Sequence, residues 1–231
     1  MPSTQWSLVL AARGEGLAAD AALSKLCRLY WLPVYALIRR RRPNPADAQE
    51  LTQQFFADVI ASEDLARLNP EVSSFRSWLY VAVRNALNND WHYRTAKKRD
   101  ERKLAWMDAD TAEAAYSALP RQAVNPERLF DHTCAVAIYS AARERARREL
   151  FTLPPEVFDV MALEPGAVEP AHGQLAQALG VSVNTFNQKV WRARAKFRTI
   201  LYRQIAETVA TADQIPDEIR FVCEALSPPR E

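Results

Sequence analysis

Glycine is scarce in this chain, and the shortage closes off a large class of function at once. Five glycines are spread over 231 residues, and neither a GxGxxG string nor the GxxxxGK string of a phosphate loop occurs, so a nucleotide-cradling fold lacks its usual turn. Cysteine is equally sparse. Cys27, Cys134 and Cys223 are far apart and odd in number, which leaves neither a disulfide framework nor a CxxC metal knuckle. His92, His132 and His172 stand apart from one another and from any HxxxH or HExxH spacing, so no metal site and no cofactor is expected. No apolar run approaches the length of about 18 residues that a membrane span needs. The opening MPSTQWSLVLAARGEG carries no basic leader. These absences predict a reduced, cytoplasmic protein with no membrane attachment.

What is present is a globular composition, 48% hydrophobic and 25% charged, with a net charge of +2 that hides an uneven distribution. Asp47 to Asp64 holds five acids and no base, Arg84 to Lys103 seven bases against three acids, and Lys189 to Arg203 six bases and no acid. Two basic segments separated by acidic ones suggest two contacts with a polyanion and one with something else.

Apolar periodicity is helical almost throughout, and strand alternation is hard to find. Leu26, Cys27, Tyr30, Trp31, Val34, Tyr35 and Ile38 recur at intervals of three and four, with Pro33 expected to kink or divide that helix. The run Arg39 to Arg42 ends it. In NPADAQELTQQFFADVIA, Asn44 suits an N-cap, Pro45 the first helical position, and Asp47 the positive helix end. In FRSWLYVAVRNALNNDWHYRTAKKR, Phe75, Trp78, Leu79, Ala82, Val83, Ala86 and Leu87 form a buried stripe. The opposite side carries Arg76, Tyr80, Arg84, Asn88, Trp91 and His92, followed by Arg94, Lys97, Lys98 and Arg99. Aromatic rings interleaved with cations suit unstacked bases as well as phosphates. From Ala105 to Asn125 the chain turns acidic and alanine-rich, and reads as a linker.

The stretch QLAQALGVSVNTFNQKVWRARAKFR has the form of a helix-turn-helix. Leu175, Ala176, Leu179, Val181, Phe186 and Val190 fill its core positions, Ala176 is small where the second helix crosses, and Gly180 supplies a left-handed turn residue. Asn184, Thr185, Asn187, Gln188, Lys189, Arg192 and Arg194 crowd the other face, where amides and guanidinium groups can bond base edges and cations can neutralise phosphates. A plain helical hairpin does not call for that crowding. Past Arg203 the chain is acidic again. Ile205, Val209, Ile219, Phe221, Val222 and Leu226 are expected to pack it back on the body and partly mask the basic reading face.

DAQELTQ, FRSWLYVAVRNALNND and QLAQALGVSVNTFNQKVWRAR, in this order, resemble the extracytoplasmic-function sigma factors of bacterial RNA polymerase, from roughly Leu8 to Arg203. The resemblance implies an all-α chain of two small helical domains joined by a flexible acidic linker, with the helix-turn-helix in the second. Residues 1–104 would dock the polymerase and open the minus-ten element, 105–125 would link, 126–203 would read the minus-thirty-five element, and 204–231 would be an acidic extension. In that family an acidic helix with a pattern close to DAEDLxQ binds the clamp helices of the polymerase largest subunit. This chain matches at Asp47, Ala48, Leu51 and Gln53, and departs at Gln49 and Glu50. Helical geometry, at about 100° per residue, independently puts Asp47, Glu50, Gln54 and Asp58 on one outward stripe. The expected contacts are therefore Asp47, Glu50, Gln53, Gln54 and Asp58 for polymerase. Arg76, Tyr80, Arg84, Asn88, Trp91, His92, Arg94, Lys97 and Lys98 would serve the minus-ten strand, and the seven residues from Asn184 to Arg194 the minus-thirty-five duplex. Core RNA polymerase and promoter DNA are the implied partners, an anti-sigma factor or a serine/threonine kinase the implied regulators. The chain itself would catalyse nothing. Thr52 tempts as a kinase target but falls on the apolar side, which makes Ser62 or Thr95 more accessible. The competing readings are a helix-turn-helix regulator acting on DNA alone and a non-enzymatic RNA-binding adaptor.

Overall fold

The computed structural model describes residues 17–61, 74–88, 109–119, 125–163, 165–209 and 211–227, and among them every regular element is helical. In chain order these are α1 (Leu17–Arg41), α2 (Pro45–Ala61), α3 (Phe75–Asn88), α4 (Ala109–Ser117), α5 (Pro126–Glu149), α6 (Pro155–Met161), α7 (His172–Ala178), α8 (Val183–Ala206), a single 3-10 turn (Ala212–Gln214) and α9 (Ile215–Leu226). Of the basic aromatic stretch expected to follow α3, Trp91, His92, Arg94, Lys97 and Lys98 lie outside the described residues, as do Ser62 and Thr95.

Local chemistry sets the helix ends. Asn44 Oδ1 accepts from the Ala46 amide at 2.9 Å, and Pro45 opens α2, as its fixed φ and missing donor favour. Asn125 does the same for α5, with Pro126 at its start. Helix α1 continues through Pro33 without dividing, because the residues around it are buried on all sides and packing outweighs the lost hydrogen bond.

Among the described residues the core forms three clusters strung along α5, a helix of 24 residues and hence about 36 Å long. Its N-terminal end, through Phe130 and Cys134, enters the first cluster with Tyr30, Trp31, Val34 and Tyr35 of α1, Phe55 and Phe56 of α2, and Phe75, Leu79 and Val83 of α3. Trp31 is fully buried and stacks on Phe56 with ring centroids 5.5 Å apart. The C-terminal end of α5, through Ala142 and Ala146, joins the second cluster with Val157, Phe158 and Met161 of α6, Ala176 of α7, and Phe186, Val190 and Phe197 of α8. Between them Ala135 and Ile138 meet Ile205 of α8 and Val222 of α9.

Part of the segment read above as a flexible linker is a docked helix. Glu113 of α4 accepts from Arg39 Nε and Nη2 at 2.9 and 2.8 Å and from the Tyr35 hydroxyl at 2.6 Å, while Ala112 is buried and Tyr116 packs edge-on to Tyr35. The acid that made the segment look solvated is the group that ties it down.

Candidate nucleic-acid interface

Helices α7 and α8 form the expected helix-turn-helix. Gly180 has φ of 63°, Ala176 is 1% exposed beneath the crossing helix, and the Val181 amide bonds the Ala176 carbonyl at 3.0 Å. Ser182 caps α8, its Oγ accepting from the Thr185 amide. On the outer side Asn184, Thr185, Asn187, Gln188, Lys189 and Arg192 are all exposed. Two of the seven expected contacts are committed elsewhere. Arg194 is half-buried, its Nη2 donating to Glu169 at 2.6 Å and to the Val160 carbonyl at 3.2 Å, so it braces the loop ahead of α7 rather than reaching outward. Asn187 Oδ1 lies 2.7 Å from His172 Nδ1, whose Nε2 is 2.9 Å from Glu169. The Arg194 bond, then the His172 bond, hold the Glu169 carboxyl below its usual range. This network fixes the first turns of α8 against α7. The acidic tail does not mask the reading face: α9 packs on α5 and the far end of α8 instead, because its apolar residues meet Ala135, Ile138 and Ile205 there.

The polar side of α3 is divided. Arg84 and Asn88 are exposed, and with Arg40, Arg41 and Tyr80 they line a cleft of about 270 Å³ between α1, α3 and the start of α5. Tyr80 is half-buried, its ring 5.5 Å from that of Phe130. Arg76 turns inward. Its Nη1 is 2.7 Å from Asp131 of α5, its Nη2 3.8 Å from Glu218 of α9, and its guanidinium carbon 3.4 Å from the Phe221 ring centroid. Arg76 and Tyr80, expected on a free DNA face, are thus held by side chains of α5 and α9. Periodicity assigns a helix face but does not say which distant helix will cover it.

On α2 the acidic stripe stands outward. Asp47, Glu50 and Gln54 are exposed, Gln53 and Asp58 half-buried, and Gln54 Nε2 donates to Asp58 at 2.7 Å. Ala48, Phe55 and Phe56 are buried beneath. Thr52 is 0% exposed and its hydroxyl donates to the Ala48 carbonyl at 2.7 Å, which closes it to a kinase in this fold.

The family model of sigma-70 region 2 matches residues 27–99, the part that carries α2 and α3. The ECF RNA polymerase sigma factor SigE of Mycolicibacterium smegmatis is 25% identical over 195 residues, which cover 84% of this chain and 67% of that protein. The chain thus carries a sigma-70 region 2 and is similar to an extracytoplasmic-function sigma factor. No solved structure matches it.

Two features of the site escaped the sequence reading. Arg40 and Arg41 belong to the cationic cleft, although their run of arginines reads only as a helix end; four successive cations at the end of a buried helix were the available signal. Trp191 stands 68% exposed on α8, among the residues facing outward. An aromatic residue between two cations, KVWR, was visible there. Among the described residues no cluster of His, Cys, Asp or Glu is placed to hold a metal ion, and no helix is long and apolar enough to cross a membrane. The cysteines are free, with burial pushing the Cys27 thiol up to about 12.

Proposed function

We propose that this sigma factor docks core RNA polymerase through the α2 stripe, contacts the displaced minus-ten strand through α3 and the cationic cleft, and reads the minus-thirty-five duplex through α8. The function itself, binding core polymerase and directing it to promoter DNA, is that of the family. The observation that carries the finer reading is the outward acidic stripe of Asp47, Glu50 and Gln54 in a chain with two cationic faces. An acidic surface repels DNA and invites a basic protein partner. On this reading residues 1–104 and 126–203 are the two promoter-binding units, and the protein works in the cytoplasm beside the polymerase. An anti-sigma factor or a kinase remains part of the proposal as regulator, with Thr52 excluded as the kinase's target.

The test is Asp47→Arg combined with Glu50→Arg. Both residues are exposed, so each change costs stability within about 0.5 kcal/mol, yet the charge of the docking face inverts. Pull-down against core polymerase, with circular dichroism as the fold control, is expected to lose binding with helicity intact. Unchanged pull-down sinks the docking assignment. If the unaltered chain neither binds core polymerase nor starts a transcript on a promoter library but still binds duplex DNA, the stand-alone regulator reading takes over.

A further inference from the structure

Trp191 stands on α8 where the packing of the helix does not call for an aromatic residue. It is 68% exposed, while Phe186, Val190, Ala193, Phe197 and Ile200 of the same helix are buried. At about 100° per residue those five fall on one stripe, and Trp191 lies within about 40° of the direction opposite to it. The indole is therefore an outward group. Asn184, seven residues earlier, comes within about 20° of it around the helix, and both are exposed together with Gln188, Lys189 and Arg192. A lone exposed apolar residue is ordinary on a protein surface. This one shares its face with the amides and cations that face a duplex.

The chemistry of the side chain narrows what it can cover. An indole left in water gains nothing from the hydrophobic effect until something apolar shields it. It carries one N–H donor and no acceptor, so the ring laid over a donor or acceptor of a base edge would strip water from that group without pairing it. The thymine methyl is the apolar group that the major groove displays. Position then separates Trp191 from the amides. It lies about 10 Å beyond Asn184 along the axis, at about 1.5 Å per residue, where a helix whose start points at the base edges reaches them only with a long side chain.

We infer that the Trp191 indole reads thymine by covering its methyl group, at a base pair other than the one under Asn184. The inference rests on α8 being the duplex reader and adds to it a determinant of specificity that is apolar. Amides and guanidinium groups select a pair by its hydrogen-bonding edge. The ring selects thymine over cytosine, the pyrimidine without a methyl.

The test titrates the full chain, alone and assembled on core polymerase, with promoter duplexes that it selects from a random library. Replacing single thymines by deoxyuridine removes one methyl at a time and leaves every hydrogen-bonding group in place. At one or two positions the parent protein should lose about four-fold in affinity per methyl, and Trp191→Ala should lose nothing further there. A C·G pair at such a position should bind poorly, and 5-methylcytosine in it should recover about four-fold in the parent and nothing in Trp191→Ala. Gln188→Ala should keep the methyl dependence, since its own contacts are hydrogen bonds. Circular dichroism should be the same for all three proteins, because both substituted side chains are exposed. Equal deoxyuridine penalties in the parent and Trp191→Ala proteins, or no penalty at any position in the parent, overturn the assignment while α8 remains the reader. Duplex binding absent in both settings overturns the reader itself.

Discussion

The two cationic faces of this chain are in opposite states. On α8 the polar side is open, held in place from behind by the Ser182 cap and the Glu169, His172 and Arg194 network. On α3 the first half of the polar side is occupied, with Arg76 in its socket and Tyr80 against Phe130, while Arg84 and Asn88 stand exposed. On the function proposed above, the difference follows from what each target offers. A duplex groove is rigid, and a rigid helix end presented in advance loses little on binding it. A displaced strand exists only after the polymerase has acted, so a face for it can stay covered until then. On that proposal one chain holds one reading head ready and the other in reserve.

The comparison breaks most completely when the ready face loses its support. Phe186 is 0% exposed beneath α8, and Phe186→Ala should cost about 3 to 5 kcal/mol, seen as a lower melting temperature together with lost duplex binding. Core-polymerase pull-down through α2 should survive, since α2 packs in a different cluster; loss of both would mean that the two halves do not fold separately. Within the ready face a smaller effect separates readers from grippers. Gln188→Ala should cost about 1 to 3 kcal/mol at one or two base pairs. Arg192→Ala should weaken all sequences alike and lower the salt slope by about one unit. Titrations of promoter variants across salt concentrations tell these apart, and identical salt-linked losses for both would leave α8 as a backbone grip only.

The ready face was legible in the sequence because its determinants are local. Ala176, Gly180, Ser182 and Phe186 fall within a few residues of one another, and each has a shape or backbone demand that only a helix-turn-helix meets. Gly180 shows the point. Its φ is 63° and a methyl group there would meet nothing within 4 Å, so Gly180→Ala should cost about 1 to 2 kcal/mol through backbone strain alone, readable by chemical denaturation, while Gly173→Ala should not destabilise. The reserved face was legible only as a stripe. That Arg76 would meet Asp131 and Glu218, 55 and, by subtraction from 218, 142 residues later, depends on tertiary packing that no periodicity encodes. The same holds for Glu113, whose acid reads as solvation until Arg39 and Tyr35 are placed beside it, and for Arg194, which lies in a run of reading residues but bonds backward.

The smallest expected effect concerns how the contacts around Arg76 respond to acid. Glu218 sits above its ordinary carboxylate range, chiefly because burial penalises its charge, with Asp131 adding to the rise and Arg76 and Thr208 opposing it. Asp131 is likewise raised, burial first, with Glu127 adding and Arg76 opposing. For groups raised on folding, the stabilising contribution is complete below the ordinary value and is lost as pH climbs through the raised one. The packing of α9 on α3 and α5 should therefore tighten as pH falls from neutral toward the ordinary carboxylate range, the reverse of what a plain salt bridge does. Glu113 and Glu169 run the other way. Their carboxyls are lowered, first by the bonds from Arg39 and from Arg194 respectively, so their contributions hold above the ordinary value and fade only in stronger acid, weakened by solvent screening. Mild acid thus acts on the reserved face and spares the ready one. Amide exchange in α9, corrected for intrinsic rates, should slow between about pH 7 and pH 5, and Glu218→Gln should flatten that response. Faster α9 exchange on acidification would mean that the ionised pair with Arg76 outweighs its desolvation, and that α9 loosens with acid.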